Sequence, residues 1–219
     1  RGGSKGIPRK NIRNFNGLPL MSHAILMSKE ITEIDECFVS TDDPEIAEVA
    51  SRFGAVVIMR HPELATDDAP EWLAWQHAVK WVRQNYGEFD RFLSLPATAP
   101  LRSISDVKNA LMALVGKFDV VLSFTNSSRS PWFNMVRFNE ENILSLVVGG
   151  GQYSRRQDVP LIYDLTTVAY VTSPDFVLTK RNIWDGNVTG IFVPKERAID
   201  IDDELDFFFA EMLAKKNMN

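Results

Sequence analysis

Two stretches at opposite ends of the chain carry side chains suited to a charged phosphate ligand. The first is Arg1-Gly2-Gly3-Ser4-Lys5-Gly6-Ile7-Pro8-Arg9-Lys10-Asn11. Its glycines let backbone N–H groups approach a ligand closely. Ser4 adds a hydroxyl, and Arg1, Lys5, Arg9 and Lys10 add cations. Free N–H groups beside clustered positive charge can hold a polyphosphate. The other reading is a solvated basic tail; Pro8 and the apolar helical segment that follows favour a positioned loop. The G-x-x-x-x-G-K-[ST] order of a Walker A loop is absent. The second stretch is Ile199-Asp200-Ile201-Asp202. In an extended segment alternate side chains share a side, so both carboxylates face one way and both isoleucines the other. Such a pair repels unless a cation or donors lie between. Mg²⁺ is commonly shared by one or two carboxylates and substrate phosphates. The competing reading is a helix N-cap at Asp202 or Asp203. Taken with the basic loop, the metal reading leads.

Other candidates lie between these ends. Ser40-Thr41-Asp42-Asp43 closes a strand-like run before Pro44. It reads first as an N-cap with proline in the first turn, although ligands in open α/β sheets gather at such strand ends. Arg60 follows the next strand-like run directly. Pro96 and Pro100 stiffen a loop in which Thr98 offers a hydroxyl. Arg155-Arg156 is either a solvated charge cluster or a clamp for a carboxylate, which guanidinium can bind bidentately. The histidines, His23, His61 and His77, have no partner at metal-ligand or triad spacing, and no G-x-S-x-G elbow occurs. Nucleophilic catalysis by a side chain is therefore not expected.

These groups need a scaffold, and the chain supplies alternating elements. Helical patterns run over 18–29, 44–53, 69–86, 104–115, 175–181 and 203–215. Strand patterns run over 36–40, 55–59, 91–95, 119–124, 168–172 and 191–193. Trp72, Trp75, Ala78, Val79 and Val82 recur at helical spacing and read as core. The alternation predicts an α/β fold with a mainly parallel sheet covered on both faces. Residues 127–165 are richer in polar residues, Gly and Arg, with weak strand signals at 132–137 and 143–148, and read as an insertion. At 219 residues, with 45% apolar and 24% charged content, one domain over 1–219 is expected. A net charge of −5 speaks against general nucleic-acid binding. No apolar run reaches membrane-span length. The lone Cys37 excludes an internal disulfide and fits a reducing cytoplasm.

The motifs carry a resemblance. R-G-G-S-K-G-I-P-x-K-N is similar to the N-terminal signature of the acylneuraminate (CMP-sialic acid) cytidylyltransferases. Arg60–Asp67 resembles that family's R-P-x-x-L-A-x-D, and Ser94–Arg102 its L-Q-P-T-S-P-L-R. Arg155–Asp158 matches its R-R-Q-D, and Ala198–Phe207 its closing A-I-D-I-D-x-x-x-D-F. The resemblance implies a three-layer nucleotidyltransferase fold of Rossmann-like, GT-A type, with a strand preceding Arg1 and an insertion that reaches across a homodimer. It implies that CTP and a sialic-acid-like sugar acid react to CMP-sugar and pyrophosphate. Arg1, Gly2, Ser4, Lys5, Lys10, Asn11 and Arg60 would hold the nucleotide. Asp200 and Asp202 would hold Mg²⁺ or Mn²⁺ and, with Lys10, act in catalysis. Thr98, Arg156, Gln157 and Tyr170 would face the sugar, Arg156 on its carboxylate. Departures concentrate on that side. Pro96 stands where the family has glutamine, and Thr166-Thr167-Val168-Ala169-Tyr170 replaces N-G-x-x-Y. Glu71 replaces a small residue. A Kdo-type cytidylyltransferase and a non-catalytic nucleotide- or sugar-binding relative are the alternatives.

Overall fold

β-Branched and aromatic runs bounded by Gly, Pro and Asp become the strands, and the computed structural model describes residues 6–66, 69–149, 153 and 155–217. A short hairpin, β1 (Asn14–Phe15) and β2 (Leu18–Pro19), leads into α1 (Leu20–Glu30). There follow β3 (Phe38–Thr41), α2 (Pro44–Arg52), β4 (Val56–Met59), α3 (Glu71–Tyr86), β5 (Phe92–Ser94) and α4 (Ile104–Ala113). The second half holds β6 (Val120–Asn126), the hairpin β7 (Val136–Phe138) and β8 (Leu144–Leu146), β9 (Tyr163–Thr172), α5 (Pro174–Thr179), β10 (Val188–Phe192) and α6 (Glu204–Asn217).

The helix starts follow the sequence. Asp43 caps α2 through the amides of Glu45 and Ile46, with Pro44 in the first turn. Ser103 and Asp106 form a reciprocal capping box at α4.

Four strands pair in the order β10-β6-β9-β5, and β3 pairs with β4 in parallel. β6 and β10 are parallel, whereas β9 is antiparallel to both β6 and β5. Three of the four strands thus share a direction, as a mainly parallel sheet requires, but β9 inserts in reverse between two of them. β9 also begins at Tyr163, five residues before the expected start. Its first three residues, Tyr163, Asp164 and Leu165, are exposed, and pairing with β6 makes them a strand.

Alternation along β6 separates two cores. Val121 faces Val107, Ala110 and Leu111 of α4, while Val120 and Leu122 face Trp72 and Val79 of α3 and Phe176 of α5. The sheet is therefore covered on both faces. A third cluster joins α1 and α2 to β3 and β4. A fourth packs Ile7, Phe15 and Leu20 against Ile201, Phe207 and Ala210, tying the start of the described chain to its end. Between β3 and β5 lies a cleft of about 890 Å³, floored by apolar side chains and reaching Thr41, Arg60 and Pro96.

The register of β9 slips against β6. Val121 pairs with Val171, yet Ser123 pairs with Thr166, so β9 carries three extra residues. Ser123 occupies the gap: its hydroxyl accepts from the Ala169 amide at 3.1 Å and donates to the Thr166 carbonyl at 3.1 Å.

Candidate active site

The site gathers where strands end. β3 ends at Ser40-Thr41, and Arg60, just past β4, crosses to it. The Arg60 guanidinium donates to the Ser40 carbonyl at 3.0 Å and to its hydroxyl at 3.2 Å. Arg60 and Asn11 both line the cleft. Arg1, Gly2, Ser4 and Lys5 lie outside the described residues.

From Gly6 onward the N-terminal loop meets the C-terminal aspartates. A Cβ built on Gly6 would stand 2.0 Å from the Asp202 carbonyl oxygen, so only glycine admits this approach. Arg9 takes a left-handed conformation, and Lys10–Ile12 forms a short 3-10 turn. The Lys10 ammonium donates to the Ile201 carbonyl and sits 3.6 Å from the Asp202 carboxylate. Arg9, counted among the loop cations, instead pairs with Asp43 and Glu45 at the start of α2. That guanidinium, with the helix amides, holds Asp43 below the usual carboxylate range.

The aspartate segment shows the expected alternation without being a strand. Ile201 is buried and Ile199 partly so, and the aspartates turn the other way. The cap of α6 falls to Asp203, whose carboxylate accepts from the amides of Leu205 and Asp206. Asp202 keeps its side chain 79% exposed, while Asp200 Oδ1 is buried with no hydrogen-bond partner among the described residues. Among the described residues no group of three or more His, Cys, Asp or Glu gathers to hold a metal. Two carboxylates, one with an orphaned acceptor, fit the partial protein shell of an Mg²⁺ that takes its remaining ligands from phosphates and water.

Thr98 contributes through its backbone: its carbonyl accepts from the Ile201 amide at 2.9 Å, pinning the aspartate segment to the 96–102 loop. Tyr170 lies on β9 opposite Ser94, edge-on to Trp75. Burial, with Glu71 and Asp200 nearby, pushes its hydroxyl up to about 12, so it stays protonated at neutral pH. Arg156 and Gln157 occupy a short 3-10 turn beyond β6, with Arg156 donating to the Ser128 carbonyl at 3.1 Å. Both side chains are exposed. Gly6, Lys10, Thr98, Asp200 and Asp202 thus form one connected site, with Tyr170 in electrostatic reach of Asp200.

Sequence reasoning passed over Arg102. It is 4% exposed, donates to the Pro96 carbonyl and lies 3.5 Å from the Thr167 carbonyl. Burial draws its guanidinium down to about 9, and Asp200 and Asp106 oppose that shift. The signal was present: Arg102 is the only charge in the ten residues Leu93–Arg102.

Comparison with known proteins decides what this arrangement is. The cytidylyltransferase family model matches residues 1–172. The chain belongs to the cytidylyltransferase family. This cytidylyltransferase is 33% identical to the CMP-N,N'-diacetyllegionaminic acid synthase of Campylobacter jejuni, over all of this chain and 94% of that one. It is 31% identical to the pseudaminic acid cytidylyltransferase of the same species, over 99% and 94% of the two chains. It is 32% identical to the post-translational flagellin modification protein B of Campylobacter coli, over 99% and 92%. The fold matches a CMP:2-keto-3-deoxy-manno-octonic acid synthetase complexed with CTP, at TM-score 0.73 and 16% identity over 99% of this chain and 95% of that one. The cytidylyltransferase is a CTP-dependent nucleotidyltransferase with the three-layer α/β fold of that class.

Proposed function

We propose that this cytidylyltransferase activates a nonulosonic, sialic-acid-like sugar acid with CTP, releasing CMP-sugar and pyrophosphate. The observation that carries the reading is the meeting of the basic loop with the aspartate pair, at Gly6 against Asp202 and Lys10 beside it. The relatives named for legionaminic and pseudaminic acids support the acceptor class.

In this reading Arg1, Gly2, Ser4, Lys5, Asn11 and Arg60 bind the nucleotide, and Lys10 sits over the phosphates. The acid's anomeric hydroxyl attacks the α-phosphate and pyrophosphate leaves, so the protein positions reactants and neutralises charge, with no covalent intermediate. Asp200 and Asp202 hold Mg²⁺ or Mn²⁺, which would polarise the α-phosphate and ease loss of the hydroxyl proton. Arg156 orients the sugar carboxylate, with Thr98, Gln157 and Tyr170 along the acceptor side.

We further propose a homodimer. The β7–β8 hairpin exposes Val136, Phe138, Ile143 and Leu144, an apolar surface of the kind that marks interfaces. The lone Cys37 fits a cytoplasmic setting. Among the described residues no helix is long and apolar enough to cross a membrane.

The test is pyrophosphate release with CTP, Mg²⁺ and a panel of nonulosonic and octulosonic acids. Release with a nonulosonic acid is expected. Release confined to octulosonic acids would move the acceptor to the Kdo class, and CTP binding without release would point to a non-catalytic binder.

A further inference from the structure

Arg102 has no ligand assigned to it, yet a guanidinium buried this deeply persists only where it is compensated. Its acidic neighbours are unequal. Asp106 is already taken, accepting from Arg197 Nε and Nη2 at 2.9 Å each and from the Ser103 amide and hydroxyl at 2.9 and 2.7 Å. Asp200 retains a buried oxygen without a hydrogen-bond partner among the described residues. Meanwhile one Arg102 nitrogen faces two carbonyls from different segments: Pro96, which opens the loop, and Thr167, inside the β9 bulge. The same loop holds the Ile201 amide through the Thr98 carbonyl, and so the metal-side aspartates. Both segments bridged by Arg102 also hold residues that differ from the motifs the sequence resembles, Pro96 and Thr166-Thr167.

We propose that Arg102 is a positioning residue that sets the spacing between the aspartate pair and the acceptor side of the site, an inference that rests on the cytidylyl-transfer reading above. Its planar, multi-donor head can bridge the two carbonyls while leaving a face toward Asp200. Lysine, with a point charge on a flexible stem, keeps the cation and loses the bridge. The nucleotide keeps its own contacts to the 1–11 loop and Arg60, so CTP binding measured without divalent metal should feel little of that bridge.

The experiment compares the unsubstituted chain with Arg102→Lys. It measures pyrophosphate release against acid concentration, CTP binding by calorimetry without divalent metal, melting temperature, and hydrogen exchange of the Ile201 amide. In Arg102→Lys, kcat/KM for the acid should fall about 100-fold, the loss expected when a reacting group shifts by roughly 1 Å. The CTP Kd should stay within about twofold, as for an interaction serving only the second substrate. The Ile201 amide should exchange faster. A parallel loss of CTP affinity, or an unchanged kcat/KM for the acid, would overturn the assignment. Where the lysine variant does not fold, Arg102→Gln, which keeps a donor without the charge, is read the same way. Silence of the unsubstituted chain with every acid would overturn the transfer reading and this inference with it. Release by the unsubstituted chain, with either contrary pattern in the variant, overturns only the role of Arg102.

Discussion

Gly6→Ala is the sharpest perturbation the structure offers, because it adds one carbon and no charge. The new Cβ would lie 2.0 Å from the Asp202 carbonyl oxygen, about 1.4 Å short of ordinary contact at 3.4 Å. The atoms it meets are backbone and a Cβ is fixed by its own backbone, so the strain cannot be relieved by turning a side chain. The loop must move off the aspartate segment, carrying Lys10 away from the Ile201 carbonyl and from Asp202. A displacement of roughly 1 Å at a reacting centre costs about 100-fold in rate, equivalent to about 2.7 kcal/mol of transition-state stabilisation. The assay is steady-state pyrophosphate release with both substrates varied. A control separates this from general destabilisation. Gly17→Ala also forces a strained backbone, at φ +90, but meets nothing within 4 Å. It should lower stability by about 1 kcal/mol and leave kcat/KM unchanged. If Gly6→Ala retained more than about a third of wild-type kcat/KM while folded, the close approach would have no bearing on catalysis.

Three further outcomes are expected. Asp202→Ala should abolish pyrophosphate release and leave the melting temperature nearly unchanged, because the side chain is 79% exposed; full activity at saturating Mg²⁺ would refute its metal role. Asp106 is held below the usual carboxylate range: burial opposes its charge, and Arg197 with Ser103 outweighs that. The stability it contributes is present above its unfolded value of about 3.9 and is lost as pH falls through the lower folded value. Melting temperature should therefore drop as pH falls below about 3.9, and Asp106→Asn should flatten that part of the curve. If the proposed homodimer forms through the hairpin, Phe138→Glu, at an exposed position there, should lower the mass in light scattering from dimer to monomer; a monomer mass for the unsubstituted chain, or a dimer mass for the variant, would refute that interface.

What was legible in the sequence depended on how local the physics is. Caps, turns and amphipathic faces involve neighbours a few residues apart, so Asp43 at α2 and the inward Trp72, Val79 and Val82 of α3 were readable. The two halves of the candidate site could be singled out because their residue types suggest phosphate and metal chemistry on their own. Strand direction is not written in a hydrophobic pattern, and the reversal of β9 and its three-residue slip arise from partners about forty residues away. Arg102 stayed hidden for the same reason. A lone arginine after Pro100-Leu101 shows nothing until the fold brings Pro96 and Thr167 to it. Arg9 illustrates the converse: composition placed it with the phosphate-binding cations, and the fold committed it to Asp43 and Glu45.

That commitment of Arg9 has a dynamic consequence. One carboxylate, Asp43, both starts α2 and anchors the loop that carries Lys10. Fraying of the first turn of α2 and loosening of the loop are then one local opening event rather than two. A substitution that stiffens this surface helix would also slow the loop, and where product escape limits turnover it would lower kcat without touching a substrate-binding residue.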